Sequence, residues 1–275
     1  MIKQHAVKKT VIHLLLLLGI GAVITPFLWM IFTSFKTSGE AMRIPPVLFP
    51  SRLQFKSYKT TIAALPFARI YLNSIISTVV TVCAQILFCS MAAYAFARLH
   101  FFGKNILFII MLAILMVPGQ IFLVPQYMII LKIGMLDTIP ALFLPNLFSA
   151  FGTFLLRQFF LALPRELEEA AIIDACSPLR IYASIMVPLI MPGVVVLIIF
   201  TAKFAWNDFM WPLIVNTKPE KMILGPALAT LQGRYMNDLP GQMAGAVMAV
   251  FPIIILFFIF QKHFIEGIAH SGVKL

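Results

Sequence analysis

The side chains able to do chemistry are few, and their spacing excludes most of it. Five histidines (His5, His13, His100, His263 and His270) are scattered without metal-ligand spacing. No G-x-x-x-x-G-K-[ST] run is present to cradle the phosphates of ATP, and neither H-E-x-x-H nor G-x-S-x-G occurs. Cys83, Cys89 and Cys176 show no paired spacing and read as free thiols behaving as small hydrophobes. Lys203 and Asp208 fall near one end of an apolar stretch. An ion-coupled carrier keeps its ionisable groups deep within spans. These two read more simply as a lysine snorkelling to the interface and an aspartate at a helix end.

One polar segment is different. Four of the ten acids, Glu166, Glu168, Glu169 and Asp174, lie between Leu163 and Pro188. Pro164 suits the first turn of a helix, and the glutamates after it complement the positive end of the helix dipole. Ser177-Pro178 has the character of a cap and first residue of a second helix. The segment therefore predicts a helix–turn–helix outside the membrane. Ala170, Ala171 and Ala175 would leave a narrow ridge, with Leu167, Ile172 and Ile173 for apolar contact. Such a helix can insert into a groove on another protein; the alternative is an ordinary solvated helix.

The elements that must position these residues follow from composition. Of 275 residues, 61% are hydrophobic and 11% charged, and the mean hydropathy is +0.98. A soluble domain carries about 25% charged residues, so a soluble enzyme, a nucleic-acid-binding globule and a disordered chain are excluded. Charge is absent between Lys9 and Lys36, Arg69 and Arg98, Lys104 and Lys132, Asp137 and Arg157, Arg180 and Lys203, and Asp238 and Lys262. A helix needs about 20 apolar residues to cross the hydrocarbon core, and the shortest of these gaps holds 19. The expected fold is an all-α membrane protein with six transmembrane helices in one transmembrane domain, 1–275. The spans are expected at about 11–33, 70–97, 105–127, 138–157, 186–210 and 242–261. The polar segment at about 163–187 then lies between the fourth and fifth, and extracytoplasmic loops at about 34–69 and 213–241.

The first span is too long for a signal-peptide core, and no A-x-A site follows it, so it is expected to stay uncleaved. Apart from Lys203 in the fifth span, the basic residues divide ten to ten between the two sides, leaving only Lys3, Lys8 and Lys9 to favour a cytoplasmic N-terminus. The net charge of +11 suits anionic lipid headgroups, and no basic stripe supports nucleic acid. Asn73, Ser74, Ser77, Thr78, Gln85 and Asn146 inside the spans either line a path or bond between helices. Pro118, Pro125, Pro140, Pro145, Pro188 and Pro192 predict broken or kinked helices.

Glu169-Ala-Ala-x-x-Asp174, closing in Ile185-x-Val187-Pro188, resembles the EAA signature of permease subunits in binding-protein-dependent ABC importers. Where the family has Gly-Ala after the aspartate, this chain has Ala175-Cys176, and Val187 replaces the usual Leu. Because Ala tolerates positive φ poorly, Ser177-Pro178 is expected to take over as the break. Ala92-Ala-Tyr-Ala-Phe-Ala-Arg98, Asp137-Thr-Ile-Pro140, Phe154-Leu-Leu-Arg-Gln158, Trp206-Asn-Asp-Phe-Met-Trp-Pro212 and the tail from Gln261 to Lys274 are similar to the maltose-type oligosaccharide branch, smaller six-span subunit. The likeness covers nearly the whole chain.

The resemblance implies a bacterial cell-membrane permease working by alternating access for an ATP-driven importer of oligosaccharides or, alternatively, another solute such as glycerol 3-phosphate. It implies a second permease subunit, two ATPase subunits that hold ATP and Mg, and an extracytoplasmic solute-binding protein, with no cofactor in this chain. The helix carrying Glu169, Ala170, Ala171, Asp174 and Ala175 would be the cytoplasmic coupling helix against the ATPase, with the C-terminal tail near the same interface. The loop from Asn216 to Gly241 would face the binding protein. There Gly233 permits a tight turn, and Gln232, Arg234 and Tyr235 can hydrogen-bond a sugar or its carrier. An ion-coupled secondary transporter or membrane-embedded enzyme would have no reason to present this signature.

Overall fold

The structure is a computed structural model describing the backbone of residues 2–234 and 238–272, and the side chains of 9, 11–231, 238–259 and 261. Among the described residues it is helical throughout, with no strand. Two compact units are formed by discontinuous stretches, Met1–Phe67 with Ala227–Pro252, and Ala68–Pro226 with Ile253–Leu275.

The first unit holds α1 (Ile2–Ser34), α2 (Ser38–Ala41) and α3 (Lys56–Ala64). Past the apolar run of α1, the chain turns over a buried cation. Lys36 is 1% exposed, its ammonium donating to the Val47 carbonyl at 2.5 Å and lying 4.3 Å from the Trp29 ring centroid. Burial pushes its pKa below the usual lysine range, and Glu40 partly offsets this. Thr37 and Glu40 form a reciprocal capping box on α2. The amide of Ser51 also donates to Glu40, and together these bonds hold its carboxyl down to about 2.

The second unit is organised around α4 (Phe67–Arg98), which buries Ile70, Cys89, Ala93, Tyr94 and Ala97 together with a row of polar side chains. Its apolar residues Leu72, Ile75, Ile76, Val79, Leu87 and Phe88 are exposed, while Asn73, Ser74, Ser77, Thr78, Thr81 and Gln85 are buried. In a medium without water, such hydroxyls and amides are satisfied from within the protein, and several on that face are. The Asn73 amide donates to the carbonyls of Glu220 and Met222, both at 2.9 Å. Ser74 Oγ accepts from the amide of Leu224 at 2.8 Å. Gln85 donates to the Asn146 carbonyl at 2.8 Å and accepts from Thr201 Oγ1 at 2.7 Å. Asn73, Ser74 and Gln85 thus bond between segments, whereas Thr78 Oγ1 is buried without a partner.

Among the described residues, three helices are long and apolar enough to cross a membrane, Val11–Ser34, Phe67–Arg98 and Leu239–Ile259. Three further pairs qualify only when each is taken as one bent span. Lys104–Met116, containing α5 (Lys104–Ala113), meets Gly119–Lys132, containing α6 (Leu123–Lys132), at 99°. Pro118 lies in that break and denies it a continuing helical hydrogen bond. The next bend, 49°, follows the turn that holds Pro145 and leads from α7 (Ile139–Phe143) into α8 (Ala150–Ala162). The fifth stretch follows α9 (Glu166–Ile173) and consists of α10 (Pro178–Arg180), a π-helical run (Ile181–Met186) and α11 (Val187–Leu189). It turns 77° into α12 (Met191–Asn207). Gly193, just past that bend, passes so close to α8 that a Cβ there would sit 2.6 Å from Cγ of Phe159. Next come α13 (Met210–Val215), α14 (Leu224–Arg234) and α15 (Leu239–Gly272).

Candidate functional site

The acid-rich segment folds as the sequence leads one to expect, one residue later than Pro164 suggests. Arg165 is the N-cap of α9, and Glu166, Glu168 and Glu169 occupy its first turn. One face is anchored. Ala171 is 5% exposed and joins a core with Tyr94 and Ala97 of α4, Phe160 of α8, and Ile181 and Met186 of the π-helical run. The opposite face is bare. Glu169, Ala170, Asp174 and Ala175 are exposed, as are the larger apolar side chains Leu167, Ile172 and Ile173, the last at 84%. The expected alanine ridge is thus split, because one alanine seats the helix while its neighbours look outward.

The end of α9 corrects the expectation at Ser177-Pro178. Ala175 itself adopts φ +56°. Its amide donates to the Ile172 carbonyl at 2.9 Å, and that of Cys176 to Ala171 at 3.0 Å, the paired bonds of a Schellman motif. A methyl side chain strains this backbone without forbidding it, and the two bonds hold the turn in place. Ser177 and Pro178 then serve as N-cap and first residue of α10.

An ion pair missed at the level of sequence ties α9 to its neighbours. Arg98, the last residue of α4, donates to the carbonyls of Phe160 at 2.7 Å and Leu163 at 2.6 Å, closing the C-terminus of α8. Its Nε lies 3.6 Å from Glu168 Oε2, with the two side chains 5% and 15% exposed. The Tyr94 hydroxyl faces the same carboxylate. The available signal was the placement of Arg98 as the first charge after a 28-residue uncharged stretch.

Other candidates lie elsewhere. Gln232 and Arg234 occupy the last turn of α14, and Gly233 is helical rather than a tight turn, because the helix begun at Leu224 runs through it. The side chains of Gln232 and Arg234, and all of Tyr235, lie outside the described residues. The tryptophan and aspartate segments meet each other instead. Trp211 Nε1 donates to the Ala141 carbonyl at 2.9 Å, and Asn216 donates to Thr138 at 3.1 Å. The Asp137 carboxylate accepts from the amides of Thr217 at 2.7 Å and Lys218 at 3.0 Å, which hold its pKa below the ordinary aspartate value. Lys203 is exposed, and Asp208 is the C-cap of α12. Among the described residues, no group of three or more His, Cys, Asp or Glu gathers where it could hold a metal ion.

Comparison with known proteins agrees with this architecture. The family described as "Binding-protein-dependent transport system inner membrane component" matches residues 85–270. The arabinooligosaccharides transport system permease protein AraQ of Halalkalibacterium halodurans is 38% identical over 253 residues, covering 90% of this chain and 90% of that protein. The sn-glycerol-3-phosphate transport system permease protein UgpE of Brucella suis is 30% identical, covering 98% of this chain and 99% of its own. A chain of a bacterial ABC transporter involved in the import of the acidic polysaccharide alginate shares the fold, with a TM-score of 0.83 at 22% identity over 94% of this chain and 97% of that one. Because the family match runs from within α4 into α15, the chain belongs to the inner-membrane components of binding-protein-dependent transport systems and is a non-catalytic permease subunit of an ABC importer.

Proposed function

We propose that this chain is one of two permease subunits in a sugar importer, and that α9 is its cytoplasmic docking helix for a separate ATPase dimer. The observation that carries the reading is the two-faced character of α9. Ala171 is locked into the core of α4, α8 and the fifth stretch, while Glu169, Ile172, Ile173 and Asp174 are left bare. An exposed apolar patch flanked by acids fits a groove on another protein. A charge-assisted bond from Glu169 to a basic group there would contribute roughly 1.5–3 kcal/mol. ATP and Mg would bind the ATPase, whose closure would pull α9 and switch the spans between inward- and outward-facing states. On the opposite side, Gln232, Arg234 and Tyr235 would face a solute-binding protein. An oligosaccharide is the favoured cargo because the AraQ relative transports arabinooligosaccharides and is the more similar of the two named permeases.

Co-expression with candidate ATPase and binding-protein partners, followed by reconstitution and uptake of labelled solute, tests this. ATP-dependent sugar uptake is expected, with Glu169→Ala and Ile173→Glu each releasing the ATPase while the chain still inserts. Uptake by this chain alone on an ion gradient, indifferent to Glu169→Ala, overturns the importer reading. ATP-dependent uptake of glycerol 3-phosphate but no sugar overturns only the cargo.

A further inference from the structure

A docking helix moves a transporter only if its displacement reaches the spans, and the contact between Arg98 and Glu168 is built for that. Glu168 lies in the first turn of α9, so any shift or rotation of the helix moves its carboxylate. Arg98 ends α4 and already grips the last turn of α8 through the Phe160 and Leu163 carbonyls. One guanidinium therefore touches three elements.

The pair is also incompletely closed. Nε and Oε2 stand 3.6 Å apart, about 0.8 Å beyond a charge-assisted hydrogen bond. Arg98 Nε and Glu168 Oε1 are both buried without a hydrogen-bond partner. Although Arg98 holds two carbonyls and Tyr94 faces the carboxylate, these unpaired atoms of opposite charge favour a small motion that brings them together. We propose that Arg98 and Glu168 are positioning residues that form the joint transmitting movement of α9 to α4 and α8. The proposal rests on α9 being the ATPase docking helix.

The test uses the assembled importer in vesicles and reads solute moved per ATP hydrolysed, a ratio that loss of folded protein alone does not change. Glu168→Gln keeps the shape of the side chain and removes its charge. It is expected to assemble and hydrolyse ATP while the ratio falls about tenfold, since a buried arginine is left without its counter-charge. Arg98→Met combined with Glu168→Leu replaces the pair by apolar side chains, which commonly preserves stability. This double variant also gives up the two Arg98 bonds to the end of α8, so a modest loss of thermal stability is expected, but it should still assemble and keep the low ratio, because apolar contact lacks the directionality of the pair. A wild-type ratio in the double variant overturns the joint, even where Glu168→Gln fails to assemble. Normal assembly and uptake with Glu169→Ala would instead remove the docking reading, so the two failures are distinguishable.

Discussion

Ala175 occupies backbone space that an L side chain enters at a cost of about 1–2 kcal/mol. It stays there because two hydrogen bonds, from its own amide and that of Cys176, satisfy the last carbonyls of α9. Glycine would remove the strain but returns about 0.5–1 kcal/mol through its greater freedom in the unfolded chain. Ala175→Gly is therefore expected to stabilise the end of α9 by about 0.5–1 kcal/mol net. Hydrogen exchange at the amides of residues 175 and 176 reads this directly and should slow about threefold. Faster exchange would show that the turn is not held by these bonds. At this scale the sequence was readable as a departure from the family pattern, but the site of the break was not. Whether Ala175 or Ser177-Pro178 ends the helix depends on which carbonyls are left open, and those exist only once α9 is packed through Ala171.

Between elements, the sequence showed where chains break better than what joins them. Among the described residues, long uncharged stretches coincide with three helices long enough to span and three bent pairs that qualify only as one span each, and prolines lie at or beside those breaks, because proline removes a donor. The joints are side chains meeting backbone far along the chain: Asn73 with Glu220 and Met222, Gln85 with Asn146, Arg98 with Phe160 and Leu163. No local periodicity encodes such partners. Asp137 makes one of these joints, and it titrates. The amides of Thr217 and Lys218 stabilise its ionised form and hold its pKa below the usual aspartate value near 3.9. A depressed carboxylate pKa contributes stability fully present above the unfolded value and lost as pH falls through the folded one. Protection of the Thr217 and Lys218 amides should therefore persist at pH 5–7, roughly one to three units above that reference value, and fade only below the ordinary carboxylate range. Asp137→Asn should lower it at neutral pH and flatten this acid dependence. An unchanged acid profile in Asp137→Asn would show that another group controls the joint.

For the molecule as a whole, the membrane leaves the core apolar and changes the surface. The second unit packs Leu156, Phe160, Met186 and Leu197 inside, with amides and hydroxyls of α4 buried beside them, while the outside of α4 carries leucine, isoleucine, valine and phenylalanine. Two neighbouring positions near the middle of that helix separate the consequences. Val79 is 52% exposed, whereas Thr81 is buried and donates its hydroxyl only to the Ser77 carbonyl of its own helix at 2.8 Å. Val79→Lys places an ammonium in apolar surroundings, at a cost of about 2.5–3.5 kcal/mol for insertion at a helix centre. Thr81→Val removes one hydroxyl whose loss leaves only a carbonyl already bonded within the helix, and should cost about 0.5 kcal/mol or less. In a soluble protein the order would be reversed, the exposed site accepting lysine and the buried one resisting change. The carbonate-resistant, membrane-integrated fraction of each variant measures the difference. A strong loss for Val79→Lys with near-normal integration of Thr81→Val is the expected pattern. Equal tolerance of both would mean that the exposed face of α4 meets water, which its run of exposed apolar residues gives no reason to expect.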